Sequence, residues 1–260
     1  ISTISNIHSI GMNMIGVPID DHGISVKHLQ NELVKYKHPV LHVDPTDHAP
    51  TGAVMTKKRK EDIMKLVQKH RLPVVEIDHF RDAWHERPFP PPLKAMDPYV
   101  SVTEVGSFLR CFPFDCQMSW LVADHYLIEH LSDVLVQNGV KNNFLMQLAA
   151  DEIFRSGEYY RLMEALRAFI KQRREKALTL FEKILKNIAK WNEKHCGFHF
   201  WLEFPGVNIR KMLSKDIRND YYPGYFFDRS DTSHILLCPA SVSEDTLEKS
   251  VKEIAGIVRG

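Results

Sequence analysis

A hydroxyl and a guanidinium follow one apolar run of the chain, three residues apart. They belong to Ser107 and Arg110, within the stretch GSFLRCFPFDCQMSW. Together they could hold a phosphate or a carboxylate, because the guanidinium stays charged and offers several N–H donors. Arg110 could instead fill a pocket and pair with Glu76, Asp78 or Asp115. Both hypotheses make this turn a candidate site.

A carboxylate and two imidazoles form a second candidate group. Asp78 and His79 follow another apolar run, and His48 precedes a Pro-Thr-Gly turn. Metal ions bind such side chains, but acids at strand ends more often pair locally. The fourteen histidines also show no HExxH or other ligand spacing. We therefore predict no metal site.

The composition is that of a globular domain from a reducing compartment. A net charge of +1 favours neither nucleic acid nor an acidic surface, so we expect no DNA binding by this chain itself. No apolar run approaches the ~20 residues of a membrane helix, and the first residues lack a signal-peptide pattern. The four cysteines include no CxxC pair. We predict a cytoplasmic protein without membrane contact. Because the sequence lacks an initiator Met, we expect either a processed chain or a fragment.

The first half of the chain alternates short apolar runs with amphipathic stretches, which is typical of strands alternating with helices. This order favours a largely parallel sheet, with a ligand site at the carboxyl ends of its strands. The basic run KKRK begins one helix, and we interpret it as solvated. We predict strands over 14–20, 39–45, 72–78, 99–108 and 117–124, and helices over 25–36 and 57–70.

The second half is mostly helical and then becomes mixed. Apolar residues recur at helical spacing with little Gly or Pro, and strands return near the end. The pattern predicts an α+β region after a long helix. We predict two helices within 125–156, a long helix over 158–193, strands over 198–204 and 234–238, and helices near 207–218 and 243–258.

Five stretches, in this order and spacing, resemble fold-type I pyridoxal-phosphate (PLP) proteins of the class I/II aminotransferase kind. The most similar group is the aminotransferase-like domain of MocR-type regulators in the GntR family. The stretches look like that family's PTG segment, IIEDDY strand end, GSFSK cofactor turn, GGxFxW strand and PG-F turn. They are VDPTDHAPTGAVMTKKRKEDIMKL, VVEIDHFRDAW, PPPLKAMDPYVSVTEVGSFLR, CGFHFWLEFP and YYPGYFF.

The resemblance implies an α/β fold. Its large domain is a parallel-rich three-layer sheet of the fold-type I PLP-transferase kind with its N-terminal part missing, and a small C-terminal α+β domain follows. The implied division is a large-domain remnant over 1–140, connecting helices over 141–194 and the small domain over 195–260. It also implies a homodimer, a possible small-molecule effector, and DNA binding only through a winged-helix domain outside this chain.

The resemblance also implies that Arg110 stands where the family has the lysine that forms a Schiff base with PLP. A guanidinium stays protonated and cannot form that bond. The aspartate that pairs with the pyridine nitrogen corresponds to Ile77, 33 residues earlier in the family's spacing. Asp78 is the alternative, but a shift by one residue reverses the side-chain direction on a strand. Lys94, the nearest other lysine, precedes the strand and is not expected to reach.

Other family positions also carry different residues. His79 corresponds to the tyrosine of IIEDDY, Ala49 to the residue before PTG, Gln117 to the phosphate-binding arginine and Leu236 to the substrate-carboxylate arginine, whereas the phosphate-contacting Ser107 is kept. So many changes in one site indicate an abandoned cofactor. We therefore expect a pseudoenzyme without covalently bound PLP, which serves dimerisation and effector sensing in a regulator.

Two alternatives stay open. A working PLP enzyme, an aminotransferase or a lyase, would need a different alignment and a lysine from elsewhere. An interaction scaffold without ligand would have the old cofactor space filled by side chains. Non-covalent PLP binding is compatible with the sequence as well.

Overall fold

The computed structural model describes residues 7–84, 91–108, 118–140, 143–191, 198–212 and 221–259. The chain divides into two compact units. The parallel-sheet unit consists of His22–Thr46 and Val54–Ala168, and the antiparallel-sheet unit of Ile1–Asp21, Asp47–Ala53 and Phe169–Gly260. The domain boundaries proposed from sequence at 140 and 194 stay predictions.

The predicted strand over 14–20 is wrong for most of its length. Only two short strands form in this part of the chain, β1 (Ile19–Asp20) and β2 (Gly23–Ile24). Pro18 has no N–H to give to a strand ladder, and Gly16 weakens a strand interior. The chain therefore enters extended pairing only after the proline.

A four-stranded sheet forms the centre of the parallel-sheet unit. Its strands are β3 (Leu41–Val43), β4 (Val74–Ile77), β5 (Val102–Ser107) and β6 (Ser119–Val122), in that spatial order. The first three run parallel, and β6 pairs antiparallel with β5. The parallel arrangement predicted from the alternating pattern is confirmed, and each predicted strand is present in shortened form.

The register of this sheet places charged residues on its buried face. Glu76 pairs with Glu104, and both are buried, as are Val74 and Val102. The alternating residues of the other face, such as Ile77, are only half-buried. Because side chains alternate along a strand, the buried face receives every second residue of β4 and β5.

Two helices accompany the first strands of this unit. They are α1 (Val26–Leu33) and α2 (Lys57–His70). The predicted bounds of α2 are confirmed, and its residues Ile63, Leu66 and Val67 are buried. Thr56 begins α2, because its hydroxyl accepts a hydrogen bond from the Arg59 N–H at 3.2 Å.

The interpretation of the KKRK run as solvated is wrong for half of its residues. Lys60 is buried, and its Nζ donates to the Pro91 carbonyl at 2.6 Å. Arg59 donates to the carbonyls of Gly23 and Ile24 at 2.9 and 2.7 Å. The helical repeat turns these two residues inward, whereas Lys57 and Lys58 remain exposed.

Three helices follow the sheet. They are α3 (His125–Gln137), α4 (Phe144–Arg155) and α5 (Glu158–Ile184). The two helices predicted within 125–156 are confirmed. Helix α5 ends at Ile184 rather than near residue 193, and a series of turns follows it. No helix in the described ranges is long and apolar enough to cross a membrane.

A three-stranded antiparallel sheet forms the second unit. The strands β7 (Phe200–Glu203), β8 (Tyr221–Pro223) and β9 (His234–Leu237) lie in the order β7-β9-β8, with the short helix α6 (Ile209–Met212) and the long α7 (Glu244–Arg259). One face of this sheet packs into the core of the unit. That core includes Phe181, Phe200, Leu202, Phe204, Ile235, Leu237, Leu247, Val251 and Ile254.

Candidate functional site

Ile77 and Asp78 lie at the carboxyl end of β4 and face opposite sides of the sheet. The Asp78 N–H donates to the Val105 carbonyl at 2.9 Å, so the extended pairing continues through this residue. Asp78 is buried on the side of Glu76 and Glu104, whereas Ile77 is half-buried on the other side. The two side chains therefore cannot face the same ligand, and the assignment of Ile77 as the counterpart of the family's pyridine-binding aspartate stays a prediction.

Arg81 binds Asp78 on the buried face. The Asp78 Oδ1 accepts from the Arg81 backbone N–H at 3.0 Å, and Oδ2 lies 3.5 Å from Nη1. The same Nη1 donates to Glu104 Oε1 at 2.6 Å. Burial raises the pKa of Asp78 to about 7, although the neighbouring Arg81 opposes that rise. Asp78 thus belongs to a buried network of two carboxyls and one guanidinium.

Glu76 extends this buried group of charges. Its two carboxylate oxygens accept from the N–H groups of Leu93 and Lys94, at 2.7 and 2.9 Å. Burial raises the pKa of Glu76, and these hydrogen bonds oppose the rise. Glu76 and Asp78, two predicted partners of Arg110, thus bind backbone amides and Arg81 respectively. Arg110 itself lies outside the described residues, as do Asp115 and Gln117.

Ser107 lies at the end of β5, the strand that pairs with β4. Its hydroxyl donates to the Met118 carbonyl at 3.4 Å, across the pairing with β6. Trp120 of β6 covers Gly106, where a side chain would overlap the indole. Ile77, Asp78, His79 and Ser107 therefore lie at neighbouring strand ends, as predicted.

Ala49 and Leu236 lie in the antiparallel-sheet unit. Ala49 is exposed and precedes Pro50 through a cis peptide bond, and the Thr51 hydroxyl lies 2.9 Å from His48 Nδ1. Leu236 is buried in β9 opposite Trp201 of β7. Neither Ala49 nor Leu236 offers a polar side chain to a ligand.

The described residues do not fit a PLP held as the resemblance implies. A pyridinium nitrogen pairs with a carboxylate, but Ile77 has none and Asp78 faces the other side of the sheet. A substrate carboxylate pairs with a guanidinium, but Leu236 is apolar. Among the described side chains, no three of His, Cys, Asp or Glu come together as metal ligands.

A cavity of about 520 Å³ opens in the antiparallel-sheet unit, on the face of the sheet that turns away from the core. Trp201, Glu203 and His234 line it from β7 and β9, and β1 and the following turn contribute Asp20 and Asp21. Sequence reasoning did not predict this cavity, because its walls come from segments that are far apart in the chain. The alternation of FHFWLE was the available signal, since it separates Trp201 and Glu203 from the core residues of β7.

Comparisons with known proteins relate the chain to transcription regulators. No protein-family model matches it. The HTH-type transcriptional regulators YdfD and YisV of Bacillus subtilis are 31% and 30% identical over 256 and 254 residues, which is 96% of this chain in each case. NorG of Staphylococcus aureus, also an HTH-type transcriptional regulator, is 27% identical over 234 residues, or 88% of the chain. The chain spans about half the length of these relatives, 52–53%.

Solved structures relate the fold to aminotransferases. The kynurenine aminotransferase of Pyrococcus horikoshii superposes with a TM-score of 0.87 at 25% identity, over 94% of this chain and 63% of that one. An archaeal alanine:glyoxylate aminotransferase gives 0.89 at 19% identity, over 99% and 66%. The chain matches an aminotransferase-like domain of a MocR/GntR-type regulator. The resemblance and the fold class predicted for this aminotransferase-like domain are therefore confirmed.

Proposed function

We propose that the chain is a non-catalytic aminotransferase-like domain, which dimerises and senses a small-molecule effector within a transcription regulator. The observation that carries the proposal is the set of residues at the predicted cofactor positions. Arg110 stands at the position of the Schiff-base lysine, Ile77 at that of the pyridine aspartate and Leu236 at that of the substrate arginine. Each replacement removes the group that the chemistry needs.

Asp78 does not restore the missing carboxylate in this proposal. Moving it to the other face of the sheet would break its bonds to Arg81 and take a buried residue out of the ladder with Val105. Breaking a buried charge network by removing one partner costs about 3–5 kcal/mol. Asp78 is therefore assigned to stability rather than to cofactor binding.

DNA binding is assigned to a part of the protein outside this chain. The relatives are HTH-type regulators by name, and the chain spans about half of each. The net charge of +1 gives the chain itself little attraction for a polyanion. A regulator of this kind works in the cytoplasm, and we place the protein there.

The apolar surface of α3 and α4 supports dimerisation. No residue of α3 is buried, and in α4 only Ala150 is buried. Val136 of α3 and Phe144 and Leu145 of α4 are among the most exposed large apolar side chains of the unit. We assign these two helices to contact with a second copy of the chain, because large apolar side chains at such exposure are typical of interaction sites.

A working PLP enzyme is the second candidate, favoured by the similarity to aminotransferases. It needs a reactive lysine from elsewhere in the protein, because position 110 carries an arginine. Burial lowers the pKa of Lys60, which suits a Schiff base, but its Nζ is enclosed and bonded to Pro91. Lys94 lies 3.9 Å from Asp97, in a mostly buried pair. These contacts support the proposal that neither lysine forms a Schiff base.

Titration with PLP, followed by borohydride trapping and mass spectrometry, tests the proposal. We expect no adduct, or sparse labelling spread over surface lysines. Stoichiometric labelling of one lysine would overturn the proposal, and the protein would then be assayed as an aminotransferase. The variant Arg110→Lys is the matched control, since it returns an amine to the turn and reveals whether the pocket still admits the cofactor.

A further inference from the structure

The cavity of the antiparallel-sheet unit carries an excess of negative charge. Among the described residues, its wall contains the carboxylates of Asp20, Asp21 and Glu203 and one ammonium group, that of Lys190. Lys190 Nζ lies 3.9 Å from Glu203 Oε2, and its side chain is largely exposed. Three carboxylates and one ammonium give these lining side chains a net negative charge when His234 is neutral.

Two indole rings provide apolar walls for the same cavity. Trp201 is held by Phe227, whose ring meets it edge-on at 5.7 Å, and by the His234 ring stacked on it at 5.0 Å and 9°. Trp191 is held by Phe181 of the core, at 5.5 Å. Tryptophan has the strongest attraction of the aromatic side chains for a cation placed over its face. Fixed indoles and carboxylates together select an amphipathic cation.

His234 adds a hydrogen-bond acceptor to the wall. Its Nδ1 lies 3.0 and 2.9 Å from the two carboxylate oxygens of Asp231. A carboxylate can only accept, so Nδ1 carries the proton in this contact, and a ring protonated at Nδ1 alone offers Nε2 as an acceptor. The wall therefore offers acceptors that match the N–H groups of an ammonium.

We propose that this cavity binds an organic monocation, a protonated amine joined to an aromatic or aliphatic body. The inference rests on the proposed sensing function and names the chemical class of its effector. The volume of about 520 Å³ lies within the range of small-molecule sites, roughly 300–1,000 Å³. A ligand of this class would pack its body against the apolar part of the wall and turn its ammonium towards the carboxylates.

The same wall disfavours a carboxylate on the ligand. Leu236 lies on the same face of β9 as His234, two residues along the strand, and it carries no charge. An amino acid would bring its carboxylate towards Asp20, Asp21 and Glu203, and the ammonium of Lys190 would offset only part of the repulsion. The cavity therefore prefers a simple amine over the amino acid with the same side chain.

Isothermal titration of the 260-residue chain with three indole compounds tests this charge preference. Tryptamine carries the ammonium alone, tryptophan carries both charges and indole-3-propionate the carboxylate alone. We expect saturable binding of tryptamine that weakens as salt is added, weaker binding of tryptophan, and none of indole-3-propionate. Absence of tryptamine binding, or equal binding of indole-3-propionate, would overturn the proposal.

Charge-neutralising variants locate the binding in this cavity. Glu203→Gln and Asp21→Asn keep the shape of the wall, and each should weaken tryptamine binding about three- to tenfold. Glu175→Gln removes an exposed carboxylate of the same unit outside the cavity and should leave binding unchanged. Equal affinity in the cavity variants and the parent would place the ligand elsewhere and refute the assignment.

Two measurements on the same protein sample distinguish failure of this inference from failure of the proposed function. The protein from each titration is then incubated with PLP and treated with borohydride, and its mass is measured by mass spectrometry. A PLP adduct on a single lysine would refute the non-catalytic function, whatever the indole compounds do. If no such adduct forms and tryptamine does not bind, the inference about the cavity is refuted and the proposed non-catalytic function is not.

Discussion

Asp78 makes the stability of the protein depend on pH in a direction opposite to that of most acids. Burial raises its pKa from 3.8 to about 7. Between these values the folded state holds a proton that the unfolded state has lost, so stability falls as pH rises, by up to about 1.4 kcal/mol per pH unit. We expect Asp78→Asn to show a shallower fall than the parent in urea unfolding at pH 5 to 7. Glu76, whose pKa burial also raises, leaves part of the slope in place.

Asp62→Asn is the control for this experiment. Hydrogen bonds from Lys58 and Lys65 lower the pKa of this exposed acid, so it is ionised in both states across the same window. Its loss should leave the slope between pH 5 and 7 as it is in the parent. Identical slopes for Asp78→Asn and the parent would contradict the buried position of the Asp78 carboxyl.

Gly106 is required by the indole that covers it. A Cβ at this position would overlap the Trp120 ring. We expect Gly106→Ala to lower the free energy of unfolding by about 1–3 kcal/mol, because the ring and its strand must move. Gly256→Ala is the matched control, since nothing lies near the added methyl, and in helix α7 it should stabilise by about 0.5–1 kcal/mol. Equal effects of the two changes in thermal unfolding would count against the packing of Trp120 on β5.

At the scale of elements, α3 and α4 carry the proposed dimer surface. Val136→Glu puts a charge on this surface, and we expect it to weaken the dimer at least about tenfold, because burying an unpaired carboxylate is costly. Sedimentation equilibrium measures the change. A dimer of unaltered affinity would refute the assignment of these helices.

Val34→Glu controls for the addition of a charge. Val34 and Val136 are 74% and 77% exposed, and both belong to the parallel-sheet unit, but Val34 follows α1 and lies outside α3 and α4. The Val34 variant should dimerise as the parent does. Weakening of the dimer by both variants would indicate a general charge effect instead.

Local sequence patterns predicted most helices and strands. Where an element ends was decided in part by pairing between residues that are distant in the sequence. Helix α2 has a clear apolar repeat and a Thr56 cap, so its bounds follow from sequence alone. The apolar repeat of α5 continues past Ile184, but there the chain turns, and Lys190 forms a β-bridge to Glu203. That bridge depends on a strand that comes later in the chain.

The candidate site was likewise predictable where it depends on local sequence patterns, and not where it depends on pairing between distant residues. The positions of Asp78 and Ser107 at neighbouring strand ends were predictable, because each follows an apolar run. Arg81 as the partner of Asp78 and Glu104 was not, since it depends on the register between β4 and β5. The cavity depends on the register of β7 and β9, which sets the face that Trp201 and Glu203 share.

At the scale of the whole molecule, the chain's charge limits its contact with DNA. With a net charge of +1, the 260-residue chain should bind duplexes weakly and without sequence preference at about 150 mM salt. Fluorescence anisotropy with DNA from its own upstream region, and with a scrambled duplex of equal length, measures this. Tight binding of the upstream duplex alone would place a DNA-reading surface within these residues.

The division of the chain between its two units sets an order of assembly during synthesis. The chain passes from one unit to the other after Asp21, Thr46, Ala53 and Ala168. A nascent polypeptide can therefore close the parallel-sheet unit once Ala168 has left the ribosome. The first two segments of the antiparallel-sheet unit, in contrast, cannot complete their unit until α7 has been synthesised.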